Sequence, residues 1–322
     1  MLNSLTGKRS HVKKNKQDRI NDAGLWQRIM KNKYIYLIIL PALIYFIIFR
    51  YVPIYGLTLA FKHYRASVGI WGSPWIGFEN FRNMTINVGF LTALKNTLII
   101  SFLKILFGFP FPIILTLLLH ELTLKKYRNV LQTIYTFPHF LSWVIIAGMS
   151  FNLFSGDGAV NKILAVMGLG EQNILTNAGS FRALLVISQI WKEAGWEMIL
   201  YLAAVNGIDQ SLFEAARVDG ANRFQQIINV TLPCIAPMMA TNLILSCANI
   251  MDGGFDQVFN MYNASVIGAS DIIDTFVYRI SFQQTPDYGF STAVGMFKGV
   301  TNLILILSVN KIVKSFGQKG IM

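Results

Sequence analysis

The chain has 322 residues, of which 53% are hydrophobic and only 14% charged, with a formal net charge of +12. A water-soluble domain carries nearer a quarter charged residues, so the composition excludes an ordinary soluble enzyme and points to a chain solvated by lipid. The positive balance does not indicate nucleic acid, because the bases cluster at the ends of apolar runs, where membrane topology accounts for them.

Residues 1–33 form a basic tail with Lys8, Arg9, Lys13, Lys14, Lys16, Arg19, Arg28, Lys31 and Lys33, and an interfacial helix is expected near Leu25 and Trp26. The basic segment is too long for a signal peptide and no small-residue cleavage site follows, so the first apolar run reads as an uncleaved anchor. That peripheral span covers 34–57 and contains Pro41 and Pro53. Residues 58–94 read as an outer loop, with a short surface helix near Phe78–Met84. Trp71 and Trp75 in that loop have two readings: stacking on sugar rings, or packing a small cap at the headgroups.

Five more spans make a core over 95–314, and 315–322 is a short tail. The spans are Asn96–Leu119, bent by Pro110 and Pro112; Leu131–Phe154, with Pro138; Arg182–Val205; Cys234–Met251; and Ser291–Val313. Residues 252–291 are expected to be the longest late loop. Six spans put both termini on one side. Lys125, Lys126, Arg128, Arg217 and Arg223 fall on that same side, which the positive-inside rule makes cytoplasmic.

The polar island at 207–233, GIDQSLFEAARVDGANRFQQIINVTLP, therefore faces the cytoplasm. Ser211 and Glu214 have capping-box spacing. Gly220 supplies a left-handed stop, Asn222 with Gln225 opens a second helix, and Pro233 ends the segment. Ala215, Ala216 and Ala221 leave room for another body to approach, while Phe213, Phe224, Ile227 and Ile228 offer apolar knobs.

Polar residues inside the spans need a reason, since a central charge costs about 2.5–3.5 kcal/mol on insertion scales. Spacing of three and four places most of Gln189, Lys192, Glu193, Trp196 and Glu197 on one stripe of the fourth span, either as a pore wall or as a buried ion pair, and Lys192 needs a carboxylate partner. Ser246, Asn249 and Asp252 recur every third residue after Asn242, as substrate contacts or as helix–helix hydrogen bonds. Lys298 and Asn302 share a face of the last span, and Lys298 is expected to meet Glu193 across a path.

Some chemistry is absent from the sequence. There is no G-x-x-x-x-G-K-[ST] phosphate loop and no G-x-S-x-G elbow. His11, His63, His120 and His139 lack metal-ligand spacing, and Cys234 and Cys247 lie roughly 20 Å apart on one helix, too far for a disulfide.

Glu214-Ala215-Ala216, Asp219-Gly220-Ala221, Phe224 and Leu232-Pro233 resemble the EAA loop of the membrane subunits of ABC importers. WGSPWIGFENF and the Trp191–Ala204 approach are similar to carbohydrate-importer permeases, including the maltose-transporter membrane subunits. The resemblance implies an all-α, polytopic, six-span type I importer permease in the bacterial cell membrane, translocating an oligosaccharide. It implies a second homologous permease, two ATPase subunits and an extracellular or periplasmic sugar-binding protein, with ATP and Mg on the ATPase and no cofactor on this chain. The coupling residues would be Glu214, Ala215, Ala216, Asp219, Gly220, Ala221, Phe224, Ile227, Leu232 and Pro233. The substrate path would use Lys192, Glu193, Trp196, Asn242, Ser246, Asn249, Asp252 and Lys298. Ser246 matches the family position, Asn249 and Asp252 fall one residue short, and Glu193 and Trp196 replace a family Gly and Tyr. An ion-coupled secondary transporter would favour an internal repeat, which the chain lacks. A non-transporting membrane sensor would use the loop only to hold a partner.

Overall fold

The computed structural model describes residue 30, residues 32–315 and residue 317. The basic stretch 1–29, the expected interfacial helix near Leu25 and the last residues of the C-terminal tail lie outside the described residues. The described residues are helical, apart from turns and one isolated bridge between Lys62 and Trp75. Two units are distinguished, 1–57 and 58–322.

In the first unit, α1 (Lys33–Phe46) runs into a wide π turn, Ile47–Tyr51. None of its side chains is buried. A helix that is apolar on every face and uncovered by protein suits lipid.

The second unit opens with a cap. The Phe61 and Trp75 rings stack at 5.4 Å with planes 9° apart, so one face of Trp75 packs on protein while the side chain stays 64% exposed. Next, α2 (Glu79–Ile86) occupies the expected surface helix, although its Asn80 is buried and donates to the carbonyl of Ala60 at 2.9 Å. The loop expected over 58–94 ends early, because Asn87 caps Phe90 and starts α3 (Val88–Gly108). Pro110 sits in the first turn of α4 (Pro110–His120), where its missing N–H costs little. The N–H of Phe109 still donates to Ile105, so α3 and α4 form one bent run.

The third expected span, Leu131–Phe154, is instead broken. α5 (Lys125–Thr136) passes into a 3-10 turn, Phe137–Phe140, and then extended residues. Pro138 cannot donate to the preceding turn. Ser142 then caps a new helix, α6 (Trp143–Phe154), followed by α7 (Ala159–Val166).

The centre is α8 (Ala178–Asn206), capped by Asn177. Its Phe181, Leu184 and Leu185 join Ile100, Val258 and Ile272 in one core cluster. Its Ala194, Met198 and Leu202 join Leu115 and Leu119 of α4 in another. Gly195 lets α5 press close: a Cβ there would overlap the backbone carbonyl of Tyr135. After α8 come α9 (Gln210–Val218), α10 (Arg223–Gln226), a π turn at Ile227–Thr231 and α11 (Leu232–Ala248).

The expected loop 252–291 is largely folded. Gly253 and Gly254, at φ 58° and 89°, turn the chain back into α12 (Phe255–Met261). α13 (Ile273–Tyr278) follows, and Val258, Ile272 and Ile273 are fully buried. These helices are too short for their period to show in sequence. Arg279 bonds both carboxylate oxygens of Asp271, which fixes the far end.

The last helix is α14 (Tyr288–Ser315). Its Lys298 does not meet Glu193. The ammonium lies 2.7 Å from Asp252 and 2.7 Å from Asp274, so it ties α14 to the turn after α11 and to α13. Two nearby carboxylates hold it better than one across a cleft.

Among the described residues, five helical runs are long and apolar enough to cross a membrane: Lys33–Phe61, Val88–His120, Trp143–Val166, Arg223–Ala248 and Tyr288–Ser315. At 29 residues α8 is also long enough, but it carries Arg182, Lys192, Glu193 and Glu197.

Two outcomes are expected for the purified protein in detergent. Lys298→Met leaves two carboxylates facing each other and should cost about 1–3 kcal/mol, a moderate figure because all three groups touch solvent. Adding Asp274→Asn should restore part of the melting temperature. Gly195→Leu should lower it further than Lys298→Met does, since the obstacle is backbone. Thermal unfolding with wild-type midpoints in these variants would contradict both contacts.

Candidate functional site

The segment 207–233 folds as a knuckle. Its first helix is capped by Asp209, not Ser211: the N–H of Ser211 donates to the Asp209 carboxylate at 3.0 Å. A carboxylate suits the positive end of a helix, and that position leaves Glu214 on the exposed outer face rather than in a capping box. The donated hydrogen bonds from Ser211 hold the Asp209 carboxyl below its usual range. The cap is therefore complete at neutral pH and is lost as acid brings the pH down through that lowered value.

The stop is as expected. The N–H of Gly220 donates to Arg217 and that of Ala221 to Ala216, at 3.1 and 2.8 Å, with Gly220 at φ +80°. This is a Schellman closure, which requires the left-handed region at Gly220. Asn222 and Gln225 then exchange bonds, 2.9 Å to the N–H of Gln225 and 2.8 Å back to that of Asn222. Pro233 does not end the segment. It stands in the first turn of α11, and the wider π turn before it carries the helix on from Arg223 to Ala248.

Phe213 is not an outward knob. It is buried with Val205, Ile208 and Ile235, and pins the knuckle to the ends of α8 and α11. Gln226, also buried, donates to the carbonyl of Ala221. Outward stand Glu214, Ala215, Asp219, Gly220 and Pro233, with Phe224 69% exposed and Val218 88%. Ala216, Ala221, Ile227 and Leu232 are half-buried beneath them. The knuckle thus offers a small-residue step beside apolar side chains.

Further along the same helices lies a polar cavity between α3, α8 and α11. Its two lobes, of about 140 and 190 Å³, share Lys104, Ile105, Gln189 and Ser246. One lobe adds Glu193 and Glu197; the other adds Ser101, Asn249, Asp252 and Gly253.

The stripe expected on α8 divides. Gln189, Glu193 and Glu197 recur every fourth residue and line the cavity. Lys192 and Trp196 sit one position back and face the Phe137–Phe140 turn. There Trp196 stacks on His139 at 4.4 Å, and Lys192, 6% exposed, donates to the carbonyl of His139. Lys192 also lies 3.2 Å from Glu193, whose other oxygen is 2.7 Å from His139 Nδ1. Lys192 finds its carboxylate in the adjacent residue.

On α11, Asn242 donates to the Tyr201 hydroxyl at 2.9 Å, which joins helices rather than lining the cavity. Ser246 donates to Asn242 and Asn249 to Leu245, so both turn back on their own helix while they line it. Asp252 reaches the cavity but is paired with Lys298, which does not.

Sequence reasoning missed Lys104. It stands midway along the bent α3–α4 run and donates to the carbonyl of Gly253 at 2.8 Å, with no ion pair among the described residues. A lone charge inside an apolar run was the signal that could have found it.

The knuckle and cavity belong to a chain with clear relatives. Residues 108–317 match the family described as "Binding-protein-dependent transport system inner membrane component". The polygalacturonan/rhamnogalacturonan transport system permease protein YteP of Bacillus subtilis (strain 168) is 40% identical over 91% of this chain and 92% of its own. A solved bacterial ABC transporter for import of the acidic polysaccharide alginate contains a chain similar at TM-score 0.84 and 40% identity, over 90% of this chain and 98% of that one. The same holds for a bacterial alginate ABC transporter in complex with an alginate pentasaccharide-bound periplasmic protein: TM-score 0.85 and 38% identity, over 92% and 99%. The chain therefore belongs to the binding-protein-dependent transport system inner membrane components, and is a multi-pass permease subunit of an ABC importer.

Proposed function

We propose that this chain, paired with a second homologous permease, translocates an oligosaccharide across a bacterial cell membrane. Two partner ATPases bind ATP and Mg and hydrolyse the nucleotide; this chain binds neither. An extracellular or periplasmic sugar-binding protein delivers the substrate. The basic loops, with Arg128 and the knuckle, face the cytoplasm, as do both termini, and α8 makes the sixth crossing with its charges turned from lipid.

One observation carries this reading. The knuckle is locked to the ends of α8 and α11 by Phe213, and those two helices wall the polar cavity. Any force on the exposed step around Glu214, Asp219, Gly220 and Phe224 moves both walls together. Pushing and pulling on the knuckle by an ATPase would open the cavity to one side or the other, which is what coupled import requires. The amides and hydroxyls of Gln189, Ser246 and Asn249 suit a hydroxyl-rich solute.

Coupling can be tested at Gly220. Gly220→Val forbids the positive φ that closes the knuckle. In proteoliposomes containing the whole complex, sugar taken up per ATP hydrolysed should fall by about tenfold or more, while Gly220→Asn, which tolerates that conformation, should lose much less. Wild-type coupling in the Val variant would overturn the role.

A further inference from the structure

We infer that Lys104, on the wall common to both lobes, is a subsite for a carboxylate of the translocated sugar, so that the substrate class is an acidic oligosaccharide; this rests on the import reading above. The other lysines of the region are already neutralised. Lys192 is buried away from the cavity against Glu193 and the His139 carbonyl. Lys298 is held by Asp252 and Asp274. Lys104 alone among the three lines the cavity, and its only hydrogen bond among the described residues goes to a carbonyl.

An ammonium donates three hydrogen bonds, and the Gly253 carbonyl accepts one. Its charge has no paired counter-ion among the described residues, which is unfavourable in a partly enclosed space until an anion arrives. Two carboxylates of the wall are engaged elsewhere, Glu193 with Lys192 and His139 and Asp252 with Lys298, and Glu197, which shares one lobe with Lys104, makes no ion pair with it among the described residues. A sugar carboxylate at Lys104 accepts charge-assisted bonds, while Gln189, Ser246 and Asn249 are left for its hydroxyls. Glycine at 254 keeps the approach open, since a Cβ there would stand 2.7 Å from the Lys104 ammonium.

The test uses the complete complex with its binding protein in proteoliposomes. The probes are galacturonate and mannuronate oligomers and their methyl esters, which have the same backbone without charge. Lys104→Gln keeps a donor for the Gly253 carbonyl and removes the charge; Lys104→Arg keeps the charge. The acid-to-ester ratio of uptake should fall by about tenfold or more in Lys104→Gln and be largely retained in Lys104→Arg. Because every variant shares one binding protein, a change in ratio belongs to the permease. An unchanged ratio in Lys104→Gln, or a wild-type complex that favours neutral esters, overturns the subsite while leaving the import reading intact. A wild-type complex that takes up no oligosaccharide of either charge overturns the import reading itself.

Discussion

A charge carried into a bilayer must find a counter-charge or polar surroundings inside the protein, and α8 shows how the bundle meets that demand. Lys192, Glu193 and Glu197 would each be costly facing lipid. The break between α5 and α6 brings the His139 carbonyl and ring to this helix, where they meet Lys192, Glu193 and Trp196. A continuous helix through Pro138 would have kept that carbonyl in its own ladder. Within the break Pro138 is buried and the His139 carbonyl is taken up by Lys192, so part of the irregular backbone is satisfied by protein.

The same helix joins the knuckle and the cavity. Its middle walls a polar cavity, and its end meets the knuckle through Val205 and Phe213. The π turn at Ile227–Thr231 lets the knuckle continue into α11 without a hinge. The opposite end of the bundle is held by a different device, the ion pairs from Lys298 to Asp252 and Asp274 and from Arg279 to Asp271. These tie the helices after α11 to α14, so the cavity lies between a knuckle packed on the apolar core and an end fastened by charge.

Several elements were legible without coordinates. The apolar runs located the bundle because lipid solvation imposes length and composition on a crossing. Gly220 and the Asn222–Gln225 pair announced the knuckle's turn, since these are local backbone demands met within a few residues. Its cap was misread because Asp209 and Ser211 are both competent cap residues two positions apart, and only the chain's path chooses between them. Pro233 was misread as a stop because a proline in a first helical turn looks in sequence like one beyond a helix end.

The sequence by itself determined a lipid-solvated helical protein, the turn at Gly220 with the Asn222–Gln225 helix start, and the presence on α8 of charges that lipid would not tolerate. Tertiary structure alone decided which polar residues share a space: Lys298 with Asp252 and Asp274 rather than Glu193, Lys192 with His139, and Lys104 with Gln189 and Ser246. It also decided that 252–291 is largely folded, with Val258, Ile272 and Ile273 fully buried and an exposed loop left near 282–287. The reason is one of range. Helical periodicity, caps and turns act between residues a few positions apart, whereas an ion pair or a cavity wall joins positions scores of residues apart, and its geometry exists only once the helices have packed.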